Sequence, residues 1–159
     1  MSSESELNKG AYMQLLWGLY VENLNSSRRH EDLREKMTGF VITFALGLLG
    51  LLSLKESGNT LVPPVYLTLP LIVLGLFGAL ISRKHYERNR MHGYKARAYR
   101  EELVKLYPDI DIDTQLEKAE RKHKSKYKLT SRTHLNWLWT VLHLIVAFLG
   151  VVLSLLVAR

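Results

Sequence analysis

The chain has 159 residues, 47% hydrophobic and 23% charged, with a formal net charge of +7, so its solvated parts favour anionic lipid, nucleic acid or an acidic partner. It has no cysteine, which excludes disulfides, thiolate nucleophiles and cysteine-ligated metals. Mean hydropathy is near zero, yet the apolar residues are gathered into three uncharged blocks, the pattern of an all-α integral membrane protein rather than of one soluble core.

Residues 1–37 come first. Glu4 and Glu6 lie where a secretory signal would carry its basic and apolar stretches, so we expect this segment to be retained. Tyr12, Leu15, Leu16, Leu19 and then Asn23 or Leu24 recur at helical steps with Trp17 and Tyr20 beside them, predicting an amphipathic helix that lies on the membrane or packs on other cytoplasmic helices. SSRRHEDLREK follows, a solvated juxtamembrane helical turn whose Arg28 and Arg29 are candidates for lipid phosphates or an acidic partner.

Residues 38–82 predict a transmembrane hairpin. Segment one (38–54) is uncharged over 17 residues, near the minimum for a hydrocarbon core of about 30 Å. KESGNT supplies a turn, and segment two (61–82) begins with Pro63 and Pro64 and carries Pro70 as an expected kink. Residues 83–133 form a basic cytoplasmic helical region. Segment two is expected to continue as helix to Tyr107, before Pro108 stops it, and a second helix to start at Thr114 with Glu117 as its capping-box partner. Residues 134–159 hold the third membrane helix, with Trp137 and Trp139 at its interfacial end.

Lys and Arg number five before segment one, one in the hairpin loop, fifteen in 83–133 and one after segment three. That imbalance predicts a multi-pass protein with a cytoplasmic N-terminus. Arg83, Lys84, Arg88, Arg90, Arg97 and Arg100 join Arg28 and Arg29 as lipid- or partner-binding candidates. Aromatic residues interleave with these cations, but no RNA- or DNA-binding motif accompanies them, so lipid is the expected partner and nucleic acid is not.

No phosphate loop, zinc helix, calcium loop or nucleophile elbow occurs, and we expect neither an enzyme nor a cofactor or metal. His85 and His92 share a helical face without a third ligand, and Asp109, Asp111 and Asp113 read as a turn and helix-start cluster. In segment three Asn136, Thr140, His143, Ala147, Gly150 and Ser154 are spaced 4, 3, 4, 3 and 4. Such a stripe packs against other helices or lines a pore, and packing is the commoner use. Gly39, Thr43, Gly47 and Gly50 in segment one, and Thr68, Gly75 and Ala79 in segment two, predict further close helix approach and homo-oligomerisation.

The order of parts, a cytoplasmic helix, an Arg-Arg-His element, a two-helix hairpin and a basic helical tail, resembles the bacterial SLATT domains. LYVENLNSSRRHEDLREKMTGFVITFALGLL also resembles the entry of the RipA-like family of octameric bacterial membrane proteins, where paired arginines precede the first span. The resemblance covers roughly Leu19 to Pro108. It implies a self-assembling inner-membrane effector of phage defence that forms a pore or disrupts the membrane. The third span is an addition to the two-helix pattern. The alternative is a scaffolding subunit holding an acidic soluble partner on its basic face.

Overall fold

The computed structural model describes residues 3–53, 63, 65–109, 111–128 and 135–157, with side chains from Leu7 onward. Four α-helices and no strand are found among them: α1 (Ser3–Ser53), α2 (Val65–Lys105), α3 (Ile112–Lys126) and α4 (Leu135–Val157). The expected KESGNT turn, Pro64, and the outer ends of the three segments at Leu54, Leu61 and Ala158 lie outside the described residues. Three of the helices, α1, α2 and α4, are long and apolar enough to cross a membrane.

The expected juxtamembrane turn is a continuous part of α1, because 26–36 contains helix formers and neither Gly nor Pro. α2 begins just after Pro63, whose carbonyl accepts from the Tyr66 N–H at 3.0 Å, and runs through Pro70. It stops two residues short of Tyr107. Leu106 and Tyr107 N–H groups close tighter bonds to the Leu103 and Val104 carbonyls at 3.1 and 2.9 Å, and Pro108 follows. The expected start of the next helix needs correction: Asp111, not Thr114, caps α3, its carboxylate accepting from the Thr114 N–H at 3.2 Å. A carboxylate at the positive end of the helix serves where Thr114 is already inside the first turn.

The chain divides into two compact units, one of residues 1–30 and 88–134, the other of 31–87 and 135–159. In the first, the early part of α1 packs on the late part of α2 around Leu16, Asn23 and Ala96. Ser27 and Asn89 bond each other's backbone carbonyls at 3.4 and 3.1 Å, and the Tyr107 hydroxyl reaches Met13 Sδ. The expected stripe is rotated: Leu16 and Asn23 are buried, while Tyr12 and Leu15 are exposed. α3 buries no residue and carries the exposed pairs Glu117–Arg121 and Glu120–Lys124. The bond from Lys124 holds the Glu120 carboxyl below its usual range.

The second unit is wider than the 38–82 hairpin plus a separate third span. It contains α1 from Glu31, α2 up to Glu87, and all of α4. Contacts of Thr38 with His143 and of Arg34 with Asn136 run in the same sense along α1 and α4. Those pairing Thr68 with Ser154, Gly75 with Ala147 and Gly78 with His143 run in opposite senses along α2 and α4. α4 is therefore parallel to α1 and antiparallel to α2. Val41, Ala45, Leu48, Leu71 and Val146 form the centre. Phe40, Leu46, Phe77, Leu80, Phe148 and Leu155 point outward, as side chains facing lipid do.

Glycine sets the α2–α4 separation. A Cβ on Gly75 would run into the Ala147 backbone, and one on Gly78 into the His143 ring. One on Gly150 would lie 2.8 Å from Ile72 Cγ1. A Cβ on Gly47 would meet nothing within 4 Å. Gly78→Ala should therefore destabilise the purified protein by about 1–3 kcal/mol through overpacking, whereas Gly47→Ala should leave monomer stability unchanged or slightly raised. Unfolding in SDS followed by circular dichroism measures both; equal effects would contradict this assignment of the α2–α4 contact.

Candidate functional site

The polar residues of the second unit meet where α4 begins. Arg34 is 4% exposed although charged. Its guanidinium bonds Glu31 at 3.2 Å and the Asn136 side-chain oxygen at 3.4 Å. Its carbon also lies 6.0 and 5.7 Å from the ring centroids of Tyr86 and Trp139, within reach of cation–π attraction. One turn on, the Thr38 hydroxyl donates to the Arg34 carbonyl at 2.9 Å and lies 3.1 Å from His143 Nε2.

Thr38 has one hydroxyl proton to share between the Arg34 carbonyl and the His143 ring. His143 Nδ1 faces Gly78 and has no partner among the described residues. Ser82 Oγ, Trp139 Nε1 and Arg34 Nε are likewise buried without a partner among them. This buried layer of cation, hydroxyls, indole and imidazole is supplied by all three helices of the unit.

The six-residue stripe of α4 faces inward along its length. Asn136 meets Arg34, His143 meets Thr38, and Ala147 and Gly150 meet α2. Ser154 donates to Thr68 Oγ1 at 2.7 Å. The Thr140 hydroxyl turns back to the Asn136 carbonyl at 3.1 Å. Gly75 and Ala79 are buried. Gly39, Thr43, Gly47 and Gly50 are not brought into that packing. All four are exposed on α1, and a Cβ on any of the three glycines would meet nothing within 4 Å. Phe40, Phe44, Leu48 and Leu51 join Thr43 and Gly47 around a shallow groove of about 450 Å³ on that side.

Of the basic candidates, Arg28, Arg29, Arg88, Arg90 and Arg97 are exposed in the first unit and Arg100 is half-buried there. Arg90 bonds the Tyr94 hydroxyl at 2.6 Å. In the second unit Arg83 is exposed, and Lys84 pairs with Glu87. His92 Nδ1 donates to the Asn23 side-chain oxygen at 2.9 Å, and its ring stacks on His30 at 5.6 Å. No group of three potential metal ligands occurs among the described residues.

Sequence reasoning missed Arg34, Thr38, Ser82 and Gly78. A signal existed for the first two, because both continue the three- and four-residue stepping of Val41, Ala45 and Leu48. Comparison with protein-family models, curated proteins and solved structures returns no match.

A double-mutant cycle of Thr38→Val and His143→Leu, read by SDS unfolding, should give a coupling of roughly 0.6 kcal/mol, the average for hydrogen bonds between membrane helices, and no more than about 1.7 kcal/mol. Thr43→Val paired with His143→Leu should give none.

Proposed function

We propose that this chain is a non-enzymatic bacterial inner-membrane protein that self-assembles and, once assembled, perturbs the bilayer as an effector of phage defence. One observation carries the reading: the Gly39, Thr43, Gly47 and Gly50 face of α1, which no other part of the described chain covers. In a bilayer a large apolar side chain gains nothing from leaving lipid, so small residues let another helix approach closely enough for dispersion and backbone contact. The α4 stripe is engaged within its own unit, so α1 is the face left for a second copy. The resemblance to SLATT and RipA-like proteins supports the defence role and the assembly, and the count of Lys and Arg supports a cytoplasmic N-terminus.

A scaffolding role is favoured by a different observation. Arg28, Arg29, Arg88 and Arg97 are exposed on the unit outside the three-helix bundle, where they suit an acidic soluble partner.

Chemical crosslinking and native mass spectrometry in mild detergent should return an oligomer, and Gly47→Leu should dissociate it without loss of helical content. Expression of the wild type, with phage infection as trigger, should depolarise cells, and Gly47→Leu should not. Monomer throughout, or depolarisation indifferent to Gly47→Leu, would refute assembly through α1. An assembled but non-depolarising protein would favour the scaffold. The chain lacks cysteine, so topology is testable by single introduced thiols. An impermeant maleimide applied to intact spheroplasts should label Ser57→Cys and spare Ser125→Cys.

A further inference from the structure

The first unit contains a groove that the self-assembly reading does not use. It has a volume of about 500 Å³, within the roughly 300–1,000 Å³ of small-molecule sites. Met13 and Trp17 of α1, Leu103 and Val104 of α2, and Ile112 at the start of α3 form apolar walls, and the one charged group lining it is Arg100. Arg100 makes no hydrogen bond or ion pair among the described residues, and its Nε is buried without a partner there.

Two features therefore coincide. An apolar hollow left to water is unfavourable in proportion to its area, and a half-buried guanidinium without a carboxylate carries a desolvation cost that pairing would offset. A second hollow shares the same arginine and is lined by Arg97, Asp113, Glu117, Glu120 and His123, and no bond joins the Asp113 carboxylate to Arg100 among the described residues. The glutamates beside it, Glu117 and Glu120, are already paired with Arg121 and Lys124. Arg100, lining both an apolar hollow and a polar one, matches a molecule with one long aliphatic chain and one anionic head.

We infer that this groove is a binding site for a long-chain carboxylate, its chain lying along Trp17, Leu103 and Val104 and its head forked by the Arg100 guanidinium. The planar donors of arginine match a carboxylate bidentately, and a single acyl chain uses the apolar walls, where Gln14, Tyr20 and Tyr107 add neutral polar groups but no second charge. Because α1, α2 and α3 all contribute walls, occupancy ties the three helices of this unit together. The inference does not depend on oligomerisation or on a pore.

The test uses the full chain in amphipol, free of bulk lipid, with Trp137 and Trp139 replaced by Phe so that Trp17 is the sole emitter. Dibromostearate should quench Trp17 saturably, its methyl ester should not, and palmitate should compete. Arg100→Gln should weaken the carboxylate at least about tenfold, as loss of a charge-assisted hydrogen bond implies, while Arg100→Lys retains most of it. Val104→Phe, which fills the groove and leaves the charge in place, should also abolish quenching. If the double Trp variant fails to fold, amide exchange in the wild type reads the same outcome: palmitate should protect 13–20 and 100–107, and its methyl ester should not. Equal binding of acid and ester, indifference to Arg100→Gln, or no binding at all would overturn the proposal. Absence of binding with Trp17 shielded in an oligomer would assign the groove to a second copy instead.

Discussion

The contact on which the membrane unit depends is the close approach of α2 to α4, permitted by Gly75, Gly78 and Gly150. Within a bilayer there is no hydrophobic driving force between helices, because lipid tails are as apolar as leucine. What holds such helices is dispersion at short range and any hydrogen bond the short range allows. Removing three side chains from the α2–α4 seam supplies both. Ala147 sits against the Gly75 backbone, the His143 ring occupies the space a Gly78 side chain would need, and Ser154 comes within 2.7 Å of Thr68 Oγ1. With α4 held there, the other edge of the His143 ring meets α1 at Thr38.

The buried polar layer is then a consequence of where the seam begins. His143 is accommodated in the seam with its Nε2 3.1 Å from the Thr38 hydroxyl, which also bonds the Arg34 carbonyl. Arg34 cannot be neutral, and the chain compensates by three means together: the Glu31 carboxylate, the Asn136 amide oxygen and two aromatic faces. A buried cation with one ion-pair partner is weak evidence for added stability. Its geometry does fix rotation and register, since sliding α4 by one residue would withdraw both Asn136 and Trp139 from the guanidinium.

How much of this was legible in the sequence depends on length scale. The three spans follow from uncharged runs, and the inward face of α4 from six small or polar residues at alternating steps of four and three. The partners of that face were not legible, because His143 finds Thr38 across 105 positions and no local pattern encodes so distant a pairing. Arg34 was masked for a different reason. It sits in SSRRHEDLREK, where charge density points to solvent, yet its helical phase matches Thr38, Val41 and Ala45. Phase decided its burial, and composition did not. The capping of α3 shows a local competition: a capping-box pair at Thr114 and Glu117 lost to a carboxylate three residues earlier.

The same distinction separates the two sets of small residues that look alike in the sequence. Gly75, Gly78 and Gly150 have backbone or ring atoms where a Cβ would go, whereas Gly39, Gly47 and Gly50 have open space. A glycine inside a helix costs up to about 1 kcal/mol relative to alanine. For the first set the cost is offset inside the chain by packing. For the second set nothing among the described residues offsets it. Three such positions lie along one exposed face of α1, so the compensation for them, if it comes from packing, has to come from a surface the single chain does not supply.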